Sequence, residues 1–266
     1  MMNQAIEKQF RNKMSTNIPK LTVVGAGPGD ADLITLKAIK TIQSANVILY
    51  DALINDELLD YASKKAELIY VGKRKGCYSY QQQQINELIV SRAKSHGHVV
   101  RLKGGDPFIF GRGAEEIDYA RQFGLETYVV PGITSAIAVP AYQGIPLTKR
   151  GASESFWVIT GTTKAHKLSN DVKLAAQSTA TVVILMGMSK LKDIVEVYSK
   201  ENKQDTAIAI IQNGTTDNEK FGVGTISNIE QIVASKQLSS PAIIVIGNVV
   251  KERVALNSIY KEVATA

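Results

Sequence analysis

The sequence predicts an α/β protein of two domains, the first around a mostly parallel sheet, the second with some antiparallel pairing. Three observations carry this. From Lys20 onward, short β-branched runs alternate with helix-like stretches, the pattern of βαβ units. A turn-rich segment, GIPLTKRGASES at 144–155, interrupts that alternation. The length of 266 residues, 44% of them apolar, suffices for one large domain or two ordinary ones.

Residues 1–19 read as an N-terminal extension. Ile6, Phe10 and Met14 recur at helical spacing, so a short basic amphipathic helix is one reading, but a mobile tail is favoured. The first domain spans 20–147. Its strands are expected at LTVV (21–24), VILY (47–50), LIYV (68–71), HVVRL (98–102) and TYVV (127–130). Its helices begin near Asp32, Asp56, Gln81, Gly113 and Thr134. A linker over 148–155 leads to the second domain at 156–255. Strands are expected there at FWVIT (156–160), TVVILM (181–186), TAIAII (206–211), FGVGTI (221–226) and AIIVI (242–246). Helices fall near Val172–Ala176, Lys190–Lys200 and Asn228–Ser235. The passage from FGVGTI to AIIVI lacks a long helical crossover, which predicts antiparallel pairing. Phe156 and Trp157 read as core, and 256–266 as a tail.

Composition narrows the function classes. A single cysteine, Cys77, excludes a disulfide framework and a cysteine-rich metal site. His96 and His98 flank Gly97 without a third ligand, so no metal is expected. The longest apolar run, around Pro241–Val250, is about half the roughly 20 residues of a membrane span. The first twenty residues lack an apolar signal region. A cytoplasmic location with no membrane partner is therefore expected. The net charge is +6, but Lys8, Arg11, Lys13 and Lys20 concentrate part of it at the N-terminus. The body is too evenly charged for a nucleic-acid stripe, whereas local basic clusters suit an acidic small molecule.

Ligands of open α/β sheets bind beyond the carboxyl ends of the strands. The unusual loops fall there: Gly25-Ala26-Gly27-Pro28-Gly29-Asp30, then Asp51, then Gly72-Lys73-Arg74-Lys75-Gly76, then Lys103 to Gly113, then Pro131 to Ser135. Met186-Gly187 and Gln212 to Thr216 follow strands of the second half. The first loop resembles a dinucleotide fingerprint, with Asp51 about twenty residues on. However, Asp30 stands where the third glycine belongs, and Pro28 removes a phosphate-binding N–H. The loop after the fourth strand is the stronger signal. Gly104, Gly105 and Gly113 let backbone approach a ligand, Asp106 offers an acceptor, and Phe108, Ile109 and Phe110 offer apolar surface. That mixture suits an aromatic base, a sugar and a zwitterionic tail. No triphosphate-binding GxxxxGK[ST] occurs.

The blocks VVGAGPGDADLITLKA, VILYD, YVGKRKG, VVRLKGGDPFIFGRGAEE, VVPGITSAIAVPAYQGIPLTKRG, MGM and QNGTT resemble the tetrapyrrole methylases, from about Leu21 to Val250. Within that family the likeness is greatest to the branch that methylates uroporphyrinogen III. The resemblance implies two α/β domains of the tetrapyrrole methylase type, with cofactor and active site in an interdomain cleft, in a homodimer. It implies two methyl transfers from S-adenosylmethionine to uroporphyrinogen III, through precorrin-1 to precorrin-2, on the routes to sirohaem and cobalamin; S-adenosylhomocysteine is the by-product. Carried over by motif, Pro28, Gly104, Gly105, Asp106, Ile109, Thr134, Ser135, Met186 and Gly214 would contact the cofactor. Ser135 stands where alanine is common among relatives. The family's proposed proton acceptor corresponds to Asp51 and its donor to Lys73. Some relatives carry a fused dehydrogenase/ferrochelatase module ahead of the methylase; with about twenty residues before the matching blocks, those activities are expected to be absent.

The chemistry agrees with a chain lacking a metal cluster or nucleophile triad. A reduced pyrrole carbon is nucleophilic and a sulfonium methyl is activated, so alignment and exclusion of water are the main requirements. Asp51 is expected to accept a proton or steady positive charge; a strand-end cap is its bland alternative. Lys73 donates a proton or binds a substrate carboxylate. Uroporphyrinogen carries eight carboxylates, and Arg74, Lys103, Arg112, Lys149 and Arg150 are expected to meet them, with Lys75 and Arg101 as further basic neighbours. The alternatives are a methylase of a later corrin precursor, or a diphthine or ribosomal-RNA methyltransferase of the same fold.

Overall fold

The computed structural model describes residues 18–72 and 80–254. These divide into two compact units. One holds the chain up to Ala26 and Ile34–Gly132; the other holds Gly27–Leu33 and everything from Ile133 onward.

The first unit is built on β1 (Lys20–Gly25), β2 (Val47–Tyr50), β3 (Glu67–Tyr70), β4 (His98–Lys103) and β5 (Glu126–Val130). They form an all-parallel sheet in the order β3-β2-β4-β1-β5. Its helices are α1 (Leu36–Gln43), α2 (Gln82–His96) and α3 (Gly113–Gln122). Leu21, Val23, Val47, Leu49 and Val99 pack with Ile85, Ile89, Ile117 and Ala120 of α2 and α3. The alternate residues Val24, Ile48, Val100 and Leu102 are equally buried. Covered on both faces, the central strands β1, β2 and β4 read as largely apolar runs, which is why the sequence reveals them. Because β4 re-enters between β2 and β1, the loops after β4, β1 and β5 emerge side by side.

The second unit contains α4 (Ser135–Tyr142), β6 (Phe156–Thr160), α5 (Asp171–Gln177), β7 (Thr181–Leu185), α6 (Leu191–Lys200), β8 (Ala207–Gln212), β9 (Lys220–Thr225), α7 (Ile229–Lys236) and β10 (Ala242–Ile246). The sheet order is β6-β7-β10-β8-β9. Val182, Ile184, Ile208, Ile210, Ile244 and Ile246 pack with α5, α6 and α7. The intervening Val183, Ala209, Ile211, Ile243 and Val245 pack with Ala136, Val139 and Ile145. The period of two in these strands therefore fills a core on each face.

Four expectations change. The division of the chain falls at Gly132, ahead of the 148–155 linker, because α4 and Ile145 bury their apolar side chains on the second sheet. The segment after Asp56 is a 3-10 helix, Asp56–Tyr61, started by Asn55, whose side chain accepts from Glu57 N; with only Leu58 buried, it has no apolar stripe to extend an α-helix. The antiparallel pairs are β8–β9, β8–β10 and β7–β10; β9 and β10 are joined through α7 and do not pair. Phe156 and Trp157 lie on an edge strand and are 39% and 38% exposed rather than core. Residues up to 17, Lys73, Arg74, Lys75, Cys77 and residues 255–266 lie outside the described residues.

Candidate functional site

Three glycines meet at the carboxyl ends of β1, β4 and β5. A Cβ on Gly25 would lie 2.5 Å from Gly132 Cα and 2.7 Å from Gly105 O. A Cβ on Gly132 would lie 2.3 Å from the same Gly105 oxygen. Backbone thus packs on backbone, which no side-chain-bearing residue permits. Asp106 secures the arrangement: Oδ2 accepts from Gly132 N at 3.0 Å and Oδ1 from Phe108 N at 2.8 Å. Gly104 is pressed against Leu53, its notional Cβ lying 2.7 Å from Leu53 Cβ.

Beyond this floor the loop turns outward. Phe108, Ile109 and Phe110 are 53%, 40% and 44% exposed. Phe110 and Arg112 adopt φ of 54° and 60°, and Gly113 N donates to Pro107 O at 3.0 Å. In the second unit, Met186 after β7 takes φ 55°, and Asn213 and Thr215 after β8 take φ 49° and 68°. Of the eight non-glycine residues at positive φ among the described residues, six lie in loops that leave carboxyl ends of strands: these five and His166 after β6. Such conformations gather at binding sites, where the surrounding structure enforces them. Met186 is 52% exposed. Thr134 caps α4 by accepting from Ala136 N, and Ser135 begins that helix, half-buried.

The loop Gly27–Leu33 belongs to the second unit. Gly29 lies against the loop after β8: its notional Cβ would be 2.8 Å from Thr216 Cγ2 and 3.2 Å from Gly214 O. Gly214 in turn is flush with Val139 of α4, 2.3 Å from a notional Cβ. Pro28 and Gly214 therefore sit on neighbouring loops, held at the level of the backbone.

Asp51 follows β2. Its Oδ1 accepts from Leu53 N at 3.1 Å, and its Oδ2 accepts from Arg101 Nη2 at 3.1 Å. Arg101 is buried and also donates through Nε to Glu116 Oε1 at 3.2 Å. Lys103 Nζ and Gln82 Nε2 donate to that oxygen, each at 3.2 Å. Glu116 is fully buried. Burial first, and Arg101 second, hold the Lys103 ammonium below the ordinary lysine value, against the attraction of Glu116 and Asp51. The expectation that Lys103 meets a substrate carboxylate is therefore corrected: its charge is committed inside the first unit. Arg101 and Glu116 are the residues that sequence reasoning underused. The signal was present, since Arg101 and Lys103 alternate along a strand whose other residues are all apolar or buried.

Arg112, Lys149 and Arg150 are exposed. Arg112 makes an i,i+3 ion pair with Glu115, whose hydrogen bond raises the guanidinium value. Lys149 pairs with Glu252, and Arg150 lies at the surface.

A family model described as Tetrapyrrole (Corrin/Porphyrin) Methylases matches residues 20–230. The chain belongs to the tetrapyrrole methylases. This methylase is 47% identical to a uroporphyrinogen-III C-methyltransferase of Methanocaldococcus jannaschii, over 87% of the present chain and 96% of that protein. It is 44% identical to siroheme synthase 2 of Pectobacterium atrosepticum, of which it spans about half, 51% of the length. Among solved structures, the uroporphyrin-III C-methyl transferase of Thermus thermophilus in complex with S-adenyl homocysteine superimposes with a TM-score of 0.75 at 32% identity, covering 88% of this methylase and 99% of that chain. A cobalt precorrin-4 methyltransferase, at 24% identity and TM-score 0.77, shares the fold over 87% of this methylase and 95% of its own chain.

Proposed function

We propose that this methylase transfers methyl groups from S-adenosylmethionine to carbons of uroporphyrinogen III, twice, through precorrin-1 to precorrin-2, feeding sirohaem or cobalamin synthesis. The observation that carries the reading is 47% identity across 96% of a relative named for uroporphyrinogen-III C-methylation. The local structure supports the cofactor. The packing of Gly25, Gly105 and Gly132 backbone on backbone keeps side chains out of the carboxyl ends of β1, β4 and β5, the place this reading gives to a flat ring or a sugar. The exposed Phe108, Ile109 and Met186 offer apolar contact, and Gly104, Thr134, Ser135, Pro28 and Gly214 complete the set. Asp106, with each oxygen already accepting one backbone N–H, retains lone pairs for a hydroxyl or ammonium.

When bound, S-adenosylmethionine supplies an activated sulfonium methyl. The chain's own residues orient the reactants and exclude water; such positioning lowers barriers by about 7–11 kcal/mol. Asp51 holds a carboxylate oxygen fixed by Arg101, suited to receive a pyrrole proton or steady positive charge. In this reading the exposed Arg112, Lys149 and Arg150 exchange their present partners or solvent for substrate carboxylates, and Lys73 and Arg74 are assigned to the same substrate by motif alone. Further parts of the reading are a homodimer in the cytoplasm, without nucleic-acid or membrane partners. Among the described residues no helix is long and apolar enough to cross a membrane.

The test is anaerobic incubation with uroporphyrinogen III and methyl-labelled S-adenosylmethionine. The expected outcome is two labels per tetrapyrrole, with S-adenosylhomocysteine formed in step. Cofactor turnover without label in the tetrapyrrole overturns the substrate assignment.

A further inference from the structure

The second unit contains a closed ring of hydrogen bonds that lies outside its apolar cores. Tyr142 at the end of α4 donates through its hydroxyl to Asp30 Oδ2 at 2.9 Å. Asp30 N donates to Thr215 Oγ1 at 3.2 Å, and Asp30 Oδ1 accepts from Asp32 N at 2.9 Å. Thr215 N donates to Glu219 Oε2 at 2.9 Å. Glu219 Oε1 accepts from Gln143 Nε2, and Gln143 follows Tyr142 in the chain, which closes the ring. Arg253 braces it, donating to Gln143 O at 2.9 Å and Gln143 Oε1 at 3.2 Å while lying over the Phe221 ring.

This ring adds side-chain hydrogen bonds to the close packing among three segments that no sheet pairing joins: the loop with Pro28, the end of α4, and the loop with Gly214. It also holds Thr215 at φ 68°, a conformation unfavourable for a β-branched residue. We propose that Tyr142 and Glu219 are positioning residues for cofactor binding, acting through Asp30 and Thr215 to hold the Pro28 and Gly214 loops in their binding arrangement before the cofactor arrives. The inference rests on the cofactor reading above. Loops fixed in advance lose less freedom on binding, so the ring acts on affinity and leaves the chemical step alone.

Tyr142→Phe removes one hydroxyl and leaves the ring of the side chain in place. Glu219→Gln turns one carboxylate oxygen into a donor facing the Gln143 amide, whose own oxygen is engaged by Arg253. Each variant is expected to raise the dissociation constant for S-adenosylhomocysteine, read by calorimetry on the full chain, by about tenfold, as for loss of a hydrogen bond to a charged group. The KM for S-adenosylmethionine rises in parallel, while kcat at saturating cofactor and the KM for the tetrapyrrole stay unchanged. In the double variant the losses combine to less than their product, because either change opens the same ring. A single variant that melts like the wild type and binds with wild-type affinity overturns the proposal, as does a fall in kcat at unchanged affinity. If Glu219→Gln does not fold, Tyr142→Phe decides by the same criteria. A wild-type chain that binds no S-adenosylhomocysteine overturns the cofactor reading itself, and this inference with it.

Discussion

Gly132 shows how much a single residue carries at the ends of β1, β4 and β5. The atoms that a Cβ would strike, Gly105 O at 2.3 Å and Gly25 Cα at 2.7 Å, are backbone atoms of the loop after β4 and of the end of β1. No side-chain rotation relieves such a clash. Gly132→Ala must separate loops that Asp106 ties together, and overpacking of this kind costs about 1–3 kcal/mol. The expected outcome is a lower urea midpoint at unchanged slope, together with weaker binding of S-adenosylhomocysteine. A variant as stable as the wild type would show that these loops are free to part. The sequence displays the glycines of this region but not their partners: that Gly25, Gly105 and Gly132 touch one another depends on β1 lying between β4 and β5. Tyr142 and Glu219 were hidden for the same reason, since their hydrogen bonds reach 112 residues along the chain to Asp30 and 76 residues to Gln143 respectively.

At the scale of elements the sequence is far more legible. VILY and AIIVI coincide with β2 and β10, because buried strands leave unbroken apolar runs between turn residues; FWVIT coincides with β6 although its first residues are exposed at a sheet edge. Pairing is less legible: β8–β9 and β10 form their antiparallel ladders by a topology that neighbouring residues do not encode. Ion pairing between elements is least legible of all. Glu116 on α3 binds Arg101 and Lys103 on β4 and Gln82 on α2, so one carboxylate joins three elements. Its second oxygen, Oε2, is buried without a hydrogen-bond partner, a cost the site already bears. Removing the carboxylate leaves two buried cations under-compensated. Glu116→Ala is therefore expected to lower stability by about 3–5 kcal/mol, the usual consequence of breaking a buried pair from one side. A loss below about 1 kcal/mol by chemical denaturation would mean that water reaches and compensates Arg101 and Lys103.

For the molecule as a whole, stability against pH turns on a group far from the candidate site, at the opposite end of β4. His98 is buried. Its Nδ1 lies 3.1 Å from Ser44 O, which can only accept, so Nδ1 carries the proton; Nε2, 2.9 Å from Thr22 Oγ1, then accepts from that hydroxyl. Both ring nitrogens are satisfied with the imidazole neutral. Burial lowers its proton affinity below the ordinary value of 6.5, with Lys20 adding to the effect and the Ser44 carbonyl opposing it. In the unfolded chain the same side chain takes up a proton near 6.5. The unfolded state therefore gains protons first as the pH falls. The stability contributed by neutral His98 is complete above about pH 6.5 and declines as acid is added below it, with a slope of at most about 1.4 kcal/mol per pH unit. His98→Gln, which keeps an amide donor and acceptor but cannot titrate, is expected to start from a lower stability at pH 7.5 and to lose less of it by pH 5.5. Urea midpoints for both proteins across that interval decide the matter. Parallel curves would mean that the acid sensitivity comes from other groups, and that His98 accepts its second proton within the fold.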